Sequence, residues 1–293
     1  MKSTLYLFIL FISIISCKTE SDIVEEIPLT KDQQQKLDMT ATSMIDAIAS
    51  DRPQVVMDQF DHKSFSKRLG KNFYQMKAQE QSVVMGILIN SLGQSISALT
   101  HDIANQELTV RLLDVRQDGP VSVLTLDVVD LLKDQVLNYL VLYLKENSKG
   151  EFVLVNFYNV FEGKSFGQLA KNFLEYDWQS DRIIRHFQDS RGNVDSALYY
   201  EHVGDYDKAY EQMNTIGDVF RNFGQYPIYR TNLAAQVSDS IFHKELRELE
   251  NITPNEQSKK FYQCLLLTDS TQVEKKNACW EDFQELLLER ELD

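Results

Sequence analysis

The hydrophobic period of this chain changes twice, and those changes constrain its architecture more than any other feature. Over residues 31–100 apolar residues recur at three- and four-residue steps, as at Leu37, Ala41, Met44, Ile45 and Ile48, the spacing of one helix face. At Glu107 the pattern switches to four runs rich in Val, Leu, Tyr and Phe: 107–116, 120–130, 135–145 and 151–161. Asp118-Gly119-Pro120 and Asn147-Ser148-Lys149-Gly150 supply turn chemistry between two pairs of them. Four strands with such short links predict an antiparallel meander. From residue 165 the helical period returns and runs to the end. The expected fold class is therefore an α+β domain, helices packed on a four-stranded antiparallel sheet, followed by an all-α domain of helical hairpins.

Within the first helical region, Asp51 is suited to cap a new helix and Pro53 fits its first turn. Gly70 is expected to stop that segment, and a long helix follows from about Asn72 to Leu99. In the third strand, Val136, Asn138, Leu140, Leu142 and Leu144 form one face; Leu137, Tyr139, Val141, Tyr143 and Lys145 form the other. Both faces are largely apolar, so one should cover the helices while the other curls around a cavity or meets the second domain. This helix-then-strand order over residues 31–165 resembles the nuclear-transport-factor/ketosteroid-isomerase and cystatin-like superfamily. The resemblance implies a cone-shaped pocket, used for catalysis in some members and for binding in others.

The stretch from Asp195 to Met213 contains Ala197, Tyr200, Gly204, Tyr206 and Ala209. These put small residues where two helices cross, glycine at the tight turn and tyrosine in the groove, and the segment resembles a tetratricopeptide repeat. Ser238-Asp239-Ser240 stands 34 residues after Gly204-Asp205-Tyr206, the usual period of that repeat. Three helical hairpins are expected over 166–293, with a plain helical bundle as the alternative. Tyr200, Tyr206 and Tyr210 are the residues expected near a binding groove, although Tyr200 and Tyr206 also match packing positions. The third pair, about 255–268 and 272–289, would place Cys264 and Cys279 on facing helices. A bridge there closes a loop of 15 residues, which chain entropy values at about 3 kcal/mol. Two buried free thiols are the alternative.

The N-terminus carries an address. Lys2 precedes an apolar run at residues 5–15 that is too short to span a bilayer, which needs about 20 apolar residues. A charged start with a short apolar core describes a secretory signal. Ile14-Ile15-Ser16-Cys17 resembles the lipobox of bacterial lipoproteins, which implies removal of residues 1–16 and acylation of Cys17. Lys18 in place of Asp favours the outer membrane in the sorting pattern of that class. Residues 17–30, polar and acidic through Glu25-Glu26, read as a flexible tether. The expected division is then signal peptide 1–16, lipidated tether 17–30, α+β domain 31–165 and helical domain 166–293, located in the cell envelope on the periplasmic side or cell surface.

Charge narrows the partners. With 44 acidic and 30 basic residues the net charge is −14, which is unsuited to a phosphate backbone and excludes nucleic acid as the expected partner. Anionic headgroups also repel the chain as a whole, so an acyl anchor at Cys17 is expected to hold it at the membrane. The histidines His62, His101, His186, His202 and His243 lack the spacing of zinc ligation on a helix. Asp58, Asp61 and His62 cluster near the mouth of the implied pocket. A carboxylate there acts as a general base only if burial raises its pKa, and helix capping is the commoner role. Asp189 to Asp195 has oxygen ligands but lacks the spacing and closing Glu of a calcium loop; a turn and cap before the repeat is expected. No nucleophile elbow, phosphate loop or Cys-x-x-Cys is present. The expectation is a membrane-anchored, non-catalytic protein- or peptide-binding lipoprotein with no cofactor and no metal. The alternative is a small-ligand binder, or an isomerase or hydrolase, using a pocket in 31–165.

Overall fold

A computed structural model describes residues 28–132, 135–175, 181–216, 226–267 and 273–289. The leader, Cys17 and the acidic tether up to residue 27 lie outside the described residues. Five helices come first: α1 (Lys31–Ala49), α2 (Pro53–Asp58), α3 (His62–Ser66), α4 (Gly70–Tyr74) and α5 (Ala78–Asn105). Thr30 and Gln33 form a reciprocal capping box at the start of α1. Gly70 breaks the path between α3 and α4 at φ +75°, a conformation that costs a side-chain-bearing residue energy.

Strands β1 (Thr109–Asp118), β2 (Val121–Asp130), β3 (Gln135–Glu146) and β4 (Phe152–Asn159) follow as an antiparallel meander, and the two-residue β5 (Lys164–Ser165) pairs with β4. On the edge of β4 away from β3, a bridge at Phe60 joins the α2–α3 corner to Leu154, whose amide donates to the Gln59 carbonyl and whose carbonyl accepts from the Asp61 amide. Alternation then sorts the side chains. Leu124, Leu126 and Val128 of β2 and Leu140, Leu142 and Leu144 of β3 face α1, α2 and α5, where they meet Leu37, Met44, Ile48, Leu92 and Ile96 in a filled core. The space in which the resemblance implies a pocket is occupied by these buried side chains.

The other face carries Val123, Tyr139, Val141, Tyr143, Val155 and Tyr158. Val136 also packs on this side, contrary to simple alternation, because the register slips between Val128 and Val129 and leaves Leu137 unpaired.

Among the described residues, helices α6 (Phe166–Glu175), α7 (Asp181–His202), α8 (Tyr206–Asn214), α9 (Tyr226–Val237), α10 (Asp239–Ile252), α11 (Glu256–Leu266) and α12 (Val273–Glu289) follow. From α7 to α12 each helix packs against the next, as in stacked hairpins. The second sheet face does not open onto a cavity: Leu246 and Leu249 of α10, Phe261 and Tyr262 of α11 and Phe283 and Leu287 of α12 cover it. Tyr139 sits 4.9 Å from the Phe283 ring and 5.9 Å, edge-on, from Phe261. Arg116 of β1 donates to the carbonyls of Leu287 and Leu288, groups left over at the end of α12. The Cys264 and Cys279 sulfurs are bonded, joining α11 to α12 directly beneath the sheet. The aromatic stretch of residues 152–166 divides between the two faces, with a slip in the β3–β4 pairing at Val155 bringing Phe152 and Phe157 to the same side. Phe152, Phe157 and Phe166 enter the first core, while Tyr158 and Phe161 enter the seam between sheet and helices.

Candidate functional site

The repeat-like hairpin is built as its residue types dictate. Ala197 of α7 and Ala209 of α8 are fully buried where the helices cross, and Gly204 makes the turn at φ +77°. Asp205 caps α8, accepting from the Lys208 amide at 3.3 Å and from Lys208 Nζ at 2.6 Å. The side-chain bond from Lys208 holds the Asp205 carboxyl below the usual carboxylate range. Lys208 Nζ also lies 5.3 Å from the Tyr200 ring centroid. Ser238 caps α10 in the same manner, accepting from the Ile241 amide.

Of the three tyrosines expected near a groove, Tyr200 and Tyr206 are half-buried against a cluster of Met213, Leu233 and Ala234. Tyr210 is buried and its hydroxyl donates to Glu245 at 2.5 Å. That corrects the sequence-based assignment for Tyr210, whose position places it inside the hairpin rather than on a groove. Glu245, fully buried, also accepts from Arg230 Nε at 2.6 Å, and Arg230 Nη2 reaches Glu248 at 2.9 Å. This network ties α8, α9 and α10 together. Among the described residues, Leu198 and Tyr199 near the end of α7 and Val203 in the turn after it are apolar or aromatic side chains at least half exposed. Positions 198, 199 and 202 share one helix face, where His202 is also exposed, and Val203 follows in the turn. The matching alanines and tyrosines drew attention to the packed side of α7; the apolar residues between them carry the open side.

In the α+β domain a groove of about 670 Å³ runs between α2–α3 and α5, with Met57, Phe60, Ile89 and Gly93 on its floor. Asp58 and His62 stand on its wall. Asp58 accepts from Gln54 across one helical turn at 2.6 Å, and the His62 ring lies 5.6 Å from Phe60. Asp61 instead caps α3, accepting from the amides of Lys63 and Ser64. Burial alone would push Asp61 up, but bonds from Ser64 and Lys63 outweigh it and hold the carboxyl below its ordinary value. Such a group is a cap, not a general base.

Elsewhere Asp51, at φ +50°, accepts from Thr100 Oγ1 and His101 Nδ1 and so ties the α1–α2 corner to α5. The segment from Asp189 to Asp195 lies within the continuous helix α7, which corrects the expected turn and cap. Arg191 and Asp195 pair there across one turn. Among the described residues no three His, Cys, Asp or Glu side chains converge as metal ligands. No protein-family model, curated protein or solved structure matches the chain.

Proposed function

We propose that this chain is a non-catalytic lipoprotein, tethered to a bilayer through an acylated Cys17, that binds a protein or peptide segment through its helical hairpins. The observation that carries the reading is the exposed end of α7 with its turn, where Leu198, Tyr199 and Val203 stand outward from a hairpin whose opposite side is packed. An exposed tyrosine is a common anchor of protein contacts, and apolar neighbours such as Leu198 and Val203 help exclude water around it. The packing of the α+β domain supports the same choice. Its first core is filled and its second sheet face is covered by α10–α12, so this domain serves as a spacer. A small-ligand reading would use the groove between α2 and α5, but Asp61 is committed to capping and Asp58 to Gln54.

Two measurements test the proposal. Mass spectrometry of the native product reads the mass at Cys17: acyl chains support the tether, and an unmodified sulfur ends it. Affinity isolation of the lipidated protein from its own envelope, beside a Leu198→Ser, Tyr199→Ser variant, reads the contact. A defined protein partner lost in the variant supports the hairpin reading. A small molecule retained through purification with no protein partner would move the function to the α2–α5 groove.

A further inference from the structure

The net charge of −14 hides a local reversal. The segment from Asp61 to Lys77 holds Lys63, Lys67, Arg68, Lys71 and Lys77 against Asp61 alone, a net charge of +4 over seventeen residues. The structure gathers them on α3, α4 and the turns that join α3 to α5. Lys63, Lys67, Lys71 and Lys77 are exposed, and among the described residues none of these four side chains has a carboxylate in ion-pair range. Arg68 lies 5.9 Å from the Tyr143 ring centroid. The one acid in the segment, Asp61, directs its carboxylate at the α3 amides. Glu80 directs one oxygen at the Lys77 amide.

The helix beyond the basic cluster is equally unusual for an acidic chain. From Gln81 to Thr100, twenty residues of α5, no ionisable side chain occurs. The most apolar eighteen-residue stretch of this helix is only 22% buried. Leu88, Leu92, Ile96 and Ile103 face the core, while Val83 and Ile87 are 59% and 46% exposed, and Tyr74 at the end of α4 is 53% exposed. Val83 lies six residues beyond Lys77, about 9 Å along the helix at 1.5 Å per residue. Cations, an exposed aromatic and exposed aliphatics thus occupy one continuous stretch of chain.

We propose that α3, α4 and the outward face of α5 form a docking surface for an anionic lipid bilayer. Lysines placed at phosphate headgroups, with tyrosine and aliphatic side chains entering the interfacial layer, are the composition that such a surface rewards. An acidic protein would engage the lysines but gain nothing from the uncharged turn of α5 that exposes Val83 and Ile87 beside them. The acidic remainder of the chain is repelled by the same headgroups, so the charge asymmetry turns this face toward the membrane. Overall charge alone opposes membrane contact; its distribution reverses that expectation at one place. The proposal goes beyond the acyl tether and does not depend on it, because the contact itself needs no acyl chain.

The test uses the chain from residue 17 onward with Cys17→Ala, so that neither leader nor lipid contributes. It is sedimented with mixed phosphatidylglycerol–phosphatidylcholine vesicles and with pure phosphatidylcholine vesicles. Binding to the anionic vesicles that weakens with added salt, and falls about tenfold or more in a Lys67→Glu, Lys71→Glu variant, supports the proposal. Both lysines are exposed, so an unchanged circular dichroism spectrum and melting curve keep the comparison valid. A Val83→Ser, Ile87→Ser variant is expected to bind severalfold more weakly at high salt, where the apolar part of the contact dominates. Equal binding to both vesicle types, or no loss in the charge-reversed variant, overturns it. So does capture of a polyglutamate peptide with no vesicle binding, which would reassign the surface to an acidic macromolecule. Because acylation plays no part here, failure leaves the Cys17 tether standing, and an unmodified Cys17 leaves this surface standing.

Discussion

Tyr158 of β4 and Ser258 of α11 share a hydrogen bond of 2.6 Å at a site from which solvent is excluded around both side chains. Tyr158 also donates to Asn255, the cap of α11, and Ser258 reaches the Val160 carbonyl at 2.6 Å. Tyr262, one turn beyond Ser258, donates to the Phe161 carbonyl. The seam between sheet and helical stack is thus apolar at its centre and hydrogen-bonded where β4 ends. Hydrogen bonds need defined partners, so this edge fixes how the two parts register, while the surrounding rings contribute buried area.

That seam predicts an alkaline limit to stability. Burial raises the hydroxyl pKa of Tyr158, and also of Tyr262, far above the ordinary value of about 10. Above about pH 10 the unfolded chain releases these protons while the folded chain keeps them, so stability present below that pH is lost as pH rises toward the folded values. Urea midpoints measured from about pH 8 to 11 should fall steeply above pH 10. Tyr158→Phe should flatten part of that fall while costing about 1–2 kcal/mol at neutral pH, because Asn255 and Ser258 lose a partner. An unchanged slope in the Tyr158→Phe protein would remove the tyrosine from the explanation.

The bond between Cys264 and Cys279 closes a loop of 15 residues and lies in the seam. Replacing both with serine should lower stability by about 3 kcal/mol through chain entropy, with a further loss from placing a hydroxyl at the fully buried position 264. Guanidinium titrations with and without reductant read this directly. A reduced wild-type protein as stable as the oxidised one would show the bridge to be thermodynamically idle.

Much of this arrangement was legible in the residues. The change of period at Glu107 and its reversal after residue 161 follow from side-chain alternation, a local property, and each strand limit lies within two residues of the expected one. Leu140, Leu142 and Leu144 facing one way and Tyr139, Val141 and Tyr143 the other required only the pleat. Val136 did not obey it, because a slip in pairing depends on the neighbouring strand. The role of Tyr210 was illegible for a related reason: its partner Glu245 is 35 residues away, and nothing in local spacing announces a buried carboxylate. The basic cluster at 63–77 was readable, but a whole-chain charge obscures it.

The Arg230–Glu245 pair makes a prediction about direction as well as size. Both side chains are almost wholly inaccessible, with Tyr210 on Glu245 and Glu248 on Arg230 extending the set. Glu245→Gln weakens one of the two acidic partners of the buried guanidinium while Glu248 stays, and should cost about 3 kcal/mol, the low end for breaking a buried pair. The double replacement Arg230→Met, Glu245→Leu removes both charges and should be less harmful than the single change. A double-mutant cycle read by urea denaturation measures the coupling, and additive losses would show the pair to be independent.

Two glycines should respond to alanine in opposite senses. Gly163, at φ +73°, closes the turn after β4, and a methyl group there would lie 2.5 Å from Thr253 Oγ1 and 3.4 Å from the Tyr262 hydroxyl. Alanine at 163 therefore meets both a strained backbone and an occupied seam, and should destabilise by at least about 1–2 kcal/mol. Gly86 lies inside α5 with open space where a methyl would stand. There alanine adds no clash and gains helix propensity, so Gly86→Ala should stabilise by up to about 1 kcal/mol. Thermal melts of the two variants separate the effects of backbone and surroundings. A destabilised Gly86→Ala protein would contradict the open space found at that position.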